Sequence, residues 1–217
     1  MGRRPTTAVG MRLYSYTVTH DAGFAPNPLW GYCTLACCKP VIRRTARQGD
    51  WIAGLTRASE GKKILYAMRV TELPIAYADY FVDPRFQSKI PTYQIRGAIH
   101  RCGDNIYRPL ANGTYKQLKS RHSNPDGSEN ERLKRRDLSG RFVLISSEFW
   151  YFGREALDLP IELRSLAVDR GHRCKFDLAL VDAFVRWIRK QRSGIYGLPH
   201  MWPAGDSSAD ALVGRCG

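Results

Sequence analysis

What this 217-residue chain lacks narrows its reading first. No apolar run approaches the roughly 18 residues that cross a bilayer, so no membrane partner is expected. The opening MGRRPTTAVG has two arginines but no apolar stretch behind them. It therefore predicts no secretory leader, and a cytoplasmic location with reduced thiols follows. There is no Walker loop, no dinucleotide glycine fingerprint, no glycine motif for a methyl-donor cofactor and no zinc-deaminase signature. Nucleotide-hydrolysing, hydride-transferring and deaminating enzymes of the common kinds are set aside on that ground. No internal repeat is present, which sets aside solenoids and propellers. Six cysteines are present, at 33, 37, 38, 102, 174 and 216, but CTLACC has no matching second pair. His100 and Cys102 are the nearest further candidates, and a zinc site would need two more ligands. The cysteines read as buried small hydrophobes, so neither a metal nor another cofactor is expected. Acidic residues are also scarce, 20 against 34 lysines and arginines.

That last imbalance is the main thing present. The formal net charge is +14. So large a surplus favours a polyanionic partner, because each cation beside a phosphate releases condensed counterions. With 43% hydrophobic and 11% aromatic residues a packed core is available, and the length suits one sizeable domain. Residues 1–10 are expected to form a flexible arm. Residues 11–193 would be one domain with a polar insert near 121–140, and 194–217 a tail.

Local patterns place the elements. MRLYSYTVT (11–19) alternates and predicts a strand. The loop after it, HDAGFAPNPLWGY, exposes Phe24 and Trp30. Pro40 opens a short basic helix carrying Arg43, Arg44 and Arg47. Gly49-Asp50 is a turn into the strand WIAGLT, and KILYAMRVTE (63–72) is a second, strongly β-prone strand. IAYADYFV predicts a short helix that stops at Asp83-Pro84. YQIRGAIH, NIYRPL and TYKQL read as short strands. HSNPDGSENERLKRRDLSG (122–140) reads as a mobile polar insert ending in the cluster Arg132, Lys134, Arg135 and Arg136. RFVLISSEFWYFG predicts a strand and then an aromatic turn. DLALVDAFVRWIRKQRSG (177–194) predicts an amphipathic helix, with Leu178, Val181, Phe184, Val185 and Ile188 on one face and Gly194 as its stop.

Several stretches resemble known families. QGDWIAGL, then KILYAMRVTE, then YFVDPRF is similar to the PUA-like superfamily, in particular EVE and ASCH domains. GFAPNPLWGYCTLACCKPVIRR, DPRFQSKIP, GDNIYRPL and RGHR resemble the nucleotide modification associated domain 2 family, over about residues 11–190. The polar insert and the long basic C-terminal helix depart from the PUA-like pattern. The resemblance implies an α+β fold: a PUA-like twisted β-barrel with flanking helices and a C-terminal amphipathic helix. It also implies a protein of a bacterial or phage DNA-modification system that holds a modified or flipped base in an aromatic pocket.

The residues can be assigned roles on that basis. A base lifted from its stack needs flat apolar faces and polar groups at its edge. Phe24, Trp30, Tyr32, Asp50 and Trp51 are the expected base-binding set. Asp50 either accepts from the base edge or caps its own turn, and Trp51 either walls the pocket or is core. Arg43, Arg44, Arg47, Arg135 and Arg136 are the expected phosphate contacts. The partner would be DNA or a modified nucleotide, RNA less so. An alternative class is an enzyme acting on a nucleobase or nucleotide, of transferase or glycosidase type. Its candidate catalytic groups are His100, Asp104, Asn105, Tyr107 and His122, which supply an acid–base, a carboxylate, an amide and a phenol. The plainer alternative is that Gly103-Asp104-Asn105 is only a turn. His20-Asp21 and His172 are further candidates of the same kind.

Overall fold

The computed structural model describes residues 10–213; the expected arm before residue 10, and Cys216, lie outside them. Strand β1 (Leu13–Thr17) lies beside β3 (Trp51–Leu55), in parallel, and β3 pairs antiparallel with β4 (Ile64–Arg69). Between β1 and β3 the chain makes β2 (Cys33–Leu35) and the short helix α1 (Pro40–Thr45). After β4 come β5 (Ile75–Ala76), α2 (Tyr77–Val82), and the hairpin of β6 (Tyr107–Pro109) and β7 (Tyr115–Gln117). Helix α3 (Glu131–Leu138) leads into β8 (Phe142–Ser146) and β9 (Glu148–Tyr151). The chain continues with β10 (His172–Arg173), helix α4 (Leu178–Ile188) and β11 (Gly194–Ile195).

The six-stranded sheet runs β10-β1-β3-β4-β9-β11, and a second sheet runs β2-β8-β5. The fold is mixed α+β, with no closed barrel among the described residues. The open form has a simple origin: the two edge strands, β10 and β11, are two residues each and pair with different neighbours. They are too short to bridge the sheet onto itself.

Both faces of the large sheet are covered, which is why β3 is buried at every position. The period of two divides its side chains. Ile52 faces a core that contains Tyr16, Tyr66 and Met68, while Trp51, Ala53 and Leu55 face α4. Trp51 stacks on Trp150 at 5.7 Å and meets Phe184 edge-on. Gly54 is required by this packing, since a Cβ there would lie 2.2 Å from the Tyr66 ring. A third core of Phe24, Tyr80, Phe86 and Tyr107 lies beneath the smaller sheet.

Four segments depart from the sequence reading. The aromatic end of RFVLISSEFWYFG, expected as a turn, is strand β9, paired with β4. YQIRGAIH forms no strand, and its end is a 3-10 turn, Ala98–Arg101. The polar insert contains α3, whose first turn is capped by Asn130 accepting from Leu133 N at 3.0 Å. The stretch after residue 193 adds β11 to the sheet and buries Trp202 and Ala209 in the core, so it packs rather than trails. No helix of the described residues is long and apolar enough to cross a membrane.

Candidate functional site

The site grows from the turn that joins β2 to α1. Cys38 and Lys39 both have left-handed backbone, with φ of 58° and 40°, and neither is glycine. Such residues cost about 1–3 kcal/mol each and persist only where their surroundings impose them. Here the constraint is visible on both sides of Cys38. Its N–H donates to Asp137 Oδ1 at 2.9 Å, and its carbonyl accepts from Arg43 Nε at 2.7 Å. Arg43 is fully buried; it also donates to Phe142 O at 2.9 Å, to Asp137 O at 2.5 Å and to the Tyr77 hydroxyl.

Asp137 is the acid in the basic run of α3, and it points inward with no exposure. Its Oδ2 accepts from Tyr107 at 2.9 Å and lies 2.5 Å from His122 Nδ1. The other ring nitrogen, Nε2, lies 3.6 Å from Cys38 Sγ. Arg136 Nη2 is 3.7 Å from the same sulfur. The Phe24 ring meets the imidazole edge-on at 4.8 Å and fixes its plane. Burial opposes a charge on His122, but the hydrogen bonds to Asp137 and Cys38 outweigh it and raise its pKa to about 9. Burial raises Asp137 in turn, and the His122 hydrogen bond overrides that, so the carboxyl lies below its ordinary range. An ionised carboxylate only accepts, which makes Nδ1–H the donor.

Cys38, His122, Arg136 and Phe24 line a cavity of about 550 Å³, with Asp137 behind His122. Tyr16, Phe24, Ala22 and Met201 give it apolar surface; Lys39, Arg121 and Arg136 give it positive charge. No carboxylate is among its lining residues. Lys39 Nζ sits 4.2 Å over the Tyr16 ring, and burial lowers its pKa.

Cys37, His122 and Asp137 also bring one donor atom each within 4.8 Å of one another, the spacing a metal would need. The donor set does not fit a cage. Both Asp137 oxygens already accept hydrogen bonds, one of them from His122 itself. Cys37 Sγ lies 3.7 Å from Asp104 O, and burial pushes its thiol well above the ordinary range.

The expected base-binding residues are not gathered in one place. Of the five, only Phe24 lines the cavity. Trp30 packs partly buried against the core, with Lys89 Nζ 5.5 Å from its ring centre. Tyr32 lies edge-on to Phe86. Trp51 is core beneath α4, because strand alternation turns it away from the cavity. Asp50 takes the turn role, accepting from the Arg12 and Arg47 backbone N–H groups at 2.9 Å each. Among the expected phosphate contacts, Arg43 is enclosed by protein acceptors. Arg44 and Arg47 line a separate cavity of about 660 Å³ beside Arg12. Arg135 and Arg136 are exposed on α3, and Arg136 reaches the first cavity.

Of the proposed catalytic group, Tyr107 and His122 meet, through Asp137. Asp104 is fully buried and accepts from Tyr80 at 2.7 Å and Thr34 at 2.8 Å, and burial raises its pKa. Asn105 donates to Tyr80 O and Phe86 O. His100 sits in the 3-10 turn away from the cavity. His20 lines the cavity; Asp21 instead accepts from Tyr151 and from His200. His172 lies beside Tyr14, and burial lowers its pKa. Cys38 and Asp137 drew no functional expectation. The available signals were a Cys-Lys-Pro helix entry and a lone acid inside KRRDLSG.

A family model described as nucleotide modification associated domain 2 matches residues 10–206. No curated protein and no solved structure matches the chain.

Proposed function

The chain belongs to the nucleotide modification associated domain 2 family, and on that premise we propose that the cavity at Cys38 holds a modified nucleotide in a bacterial or phage DNA-modification system. The observation that carries this reading is the cavity's composition. Lys39, Arg121 and Arg136, with no carboxylate, surround a space with an aromatic and aliphatic wall. Its volume, about 550 Å³, lies in the range of small-molecule sites. A phosphate would sit among Lys39, Arg121 and Arg136, and a base would lie against Phe24, Ala22 and Met201.

The test compares a nucleoside monophosphate with its nucleoside, by calorimetric titration. Lys39→Met should weaken the monophosphate by about tenfold or more, as loss of a charge-assisted contact of roughly 1.5–3 kcal/mol implies, and leave the nucleoside nearly unaffected. Equal affinity of wild type and Lys39→Met for the monophosphate would remove phosphate from this cavity.

A further inference from the structure

Binding alone leaves one feature of the cavity unused: a thiol, an imidazole and a buried carboxylate in line. We propose that Cys38 is the nucleophile of an acyl-transfer reaction, with His122 its general base and acid and Asp137 the residue that orients His122. The substrate class, a nucleotide bearing an ester, thioester or amide carbonyl, rests on the nucleotide reading above.

The geometry has the two contacts that such a mechanism needs. His122 Nε2 faces the Cys38 sulfur at 3.6 Å, and Nδ1 faces the Asp137 carboxylate at 2.5 Å. One ring nitrogen can thus exchange a proton with the thiol while the other is held in a fixed tautomer. Cys38 is the cysteine on the cavity wall. Cys33 and Cys37 are fully enclosed, and burial pushes both thiols up. The left-handed backbone at Cys38 is held by Asp137 and Arg43, so the residue that orients the imidazole also positions the thiol. Arg136 Nη2, 3.7 Å from the sulfur, is the other polar group that faces it. Addition of the thiolate to a pyrimidine ring would need a separate base to remove a ring proton. The cavity wall carries no carboxylate for that work. Acyl transfer needs only the base and acid already present.

The steps balance without an oxidant or cofactor. With His122 in its neutral form, whose share grows as pH rises toward its pKa of about 9, Nε2 takes the Cys38 proton, and the sulfur attacks the carbonyl carbon. A C–S bond forms and the C=O pair moves to oxygen. Collapse breaks the bond to the leaving oxygen, sulfur or nitrogen, which receives the proton from His122. Water then attacks the thioester and gives its proton to His122. The C–S bond breaks, the acid leaves, and the thiol is restored.

The probe is p-nitrophenyl acetate with the full chain, followed by p-nitrophenolate release and peptide mass spectrometry. Wild type should show a burst and an acetyl group on Cys38; Cys38→Ser should show neither. His122→Asn should slow acylation by about 100-fold or more. It should also abolish a step in the pH–rate profile. That step reflects His122 among the groups facing it: Asp137 and Arg136 of α3, Cys37, Cys38 and Lys39 of the turn, Tyr107 of β6, and neighbouring Arg121. Thermal melting checks that each variant folds, and His122→Gln replaces His122→Asn if it does not. Acetylation no faster than in Cys38→Ser, a label on other cysteines, or an unchanged rate and profile in the folded His122 variant would overturn the proposal. The probe contains no nucleotide, so the two readings fail separately. Cys38→Ser that binds a nucleoside monophosphate, with no acylation of wild type, sinks the nucleophile alone. Acylation without nucleotide binding sinks the substrate class and keeps the nucleophile.

Discussion

His122 is held in its charged form by two neighbours, and that has a consequence for stability. Its folded pKa of about 9 exceeds the ordinary 6.5. A raised histidine stabilises fully below the unfolded value and loses that contribution as pH rises through the folded one. Melting temperature should therefore fall between pH 6.5 and 9. His200, raised by its hydrogen bond to Asp21, adds to the same slope. The two are separated by His122→Asn, whose melting temperature should fall less steeply than wild type over that window. Parallel curves would mean that Asp137 does not hold the proton on His122. Asp137 acts at the other end: its depressed pKa gives stability that is lost as pH falls through the carboxylate range.

At the scale of elements, the turn before α1 is fixed by α3 and β8, and Arg43 is the joint. Its guanidinium contacts Cys38, Asp137, Phe142 and Tyr77, which lie on four different segments. Gly140 makes room for it, since a Cβ there would lie 2.4 Å from the guanidinium carbon. Arg43→Ala would leave buried carbonyls without a donor, at about 1–3 kcal/mol for each. Chemical denaturation should show Arg43→Ala losing about 3 kcal/mol or more, whereas a surface change such as Arg44→Ala stays within about 0.5 kcal/mol. Wild-type stability for Arg43→Ala would return this side chain to the role of a phosphate contact. The short helix thus sends its two arginines in different directions, Arg43 into the protein and Arg44 to the outer groove, where Arg47 of the following turn joins it.

At the scale of the whole molecule, part of the positive charge gathers at two cavities. Lys39, Arg121 and Arg136 converge on the inner cavity; Arg12, Arg44 and Arg47 line the outer groove. On the proposed reading the first would hold one nucleotide, and the second would meet a nucleic-acid backbone. Affinity for a DNA strand should fall about tenfold or more between 50 and 200 mM salt, since even two or three neutralised phosphates give a steep counterion dependence. Arg44→Ala and Arg47→Ala should each reduce the salt slope by about 1 without changing base preference, read from fluorescence anisotropy across a salt series. A slope that neither variant alters would move the nucleic-acid interface elsewhere.

The sequence by itself determined what is local. Alternation located β1, the Gly49-Asp50 turn located β3, β-prone residues located β4, the 3.6 period located α4, and Asp83-Pro84 ended α2. Asp50 beside Gly49 was readable as a turn cap, because an Asx side chain bonds backbone a few residues away. Tertiary structure alone decided whether the large sheet closed, since closure depends on how long the distant edge strands are and where they pair. It also decided the site. Cys38 meets His122 across 84 positions and Asp137 across 99, and no periodicity or spacing rule reaches that far. A cysteine next to another cysteine, and an acid among arginines, carry no local mark of their use. Their chemistry arises only when β2, the loop before α3 and α3 itself pack against one another, so that burial excludes water and each polar group must find its partner within the protein.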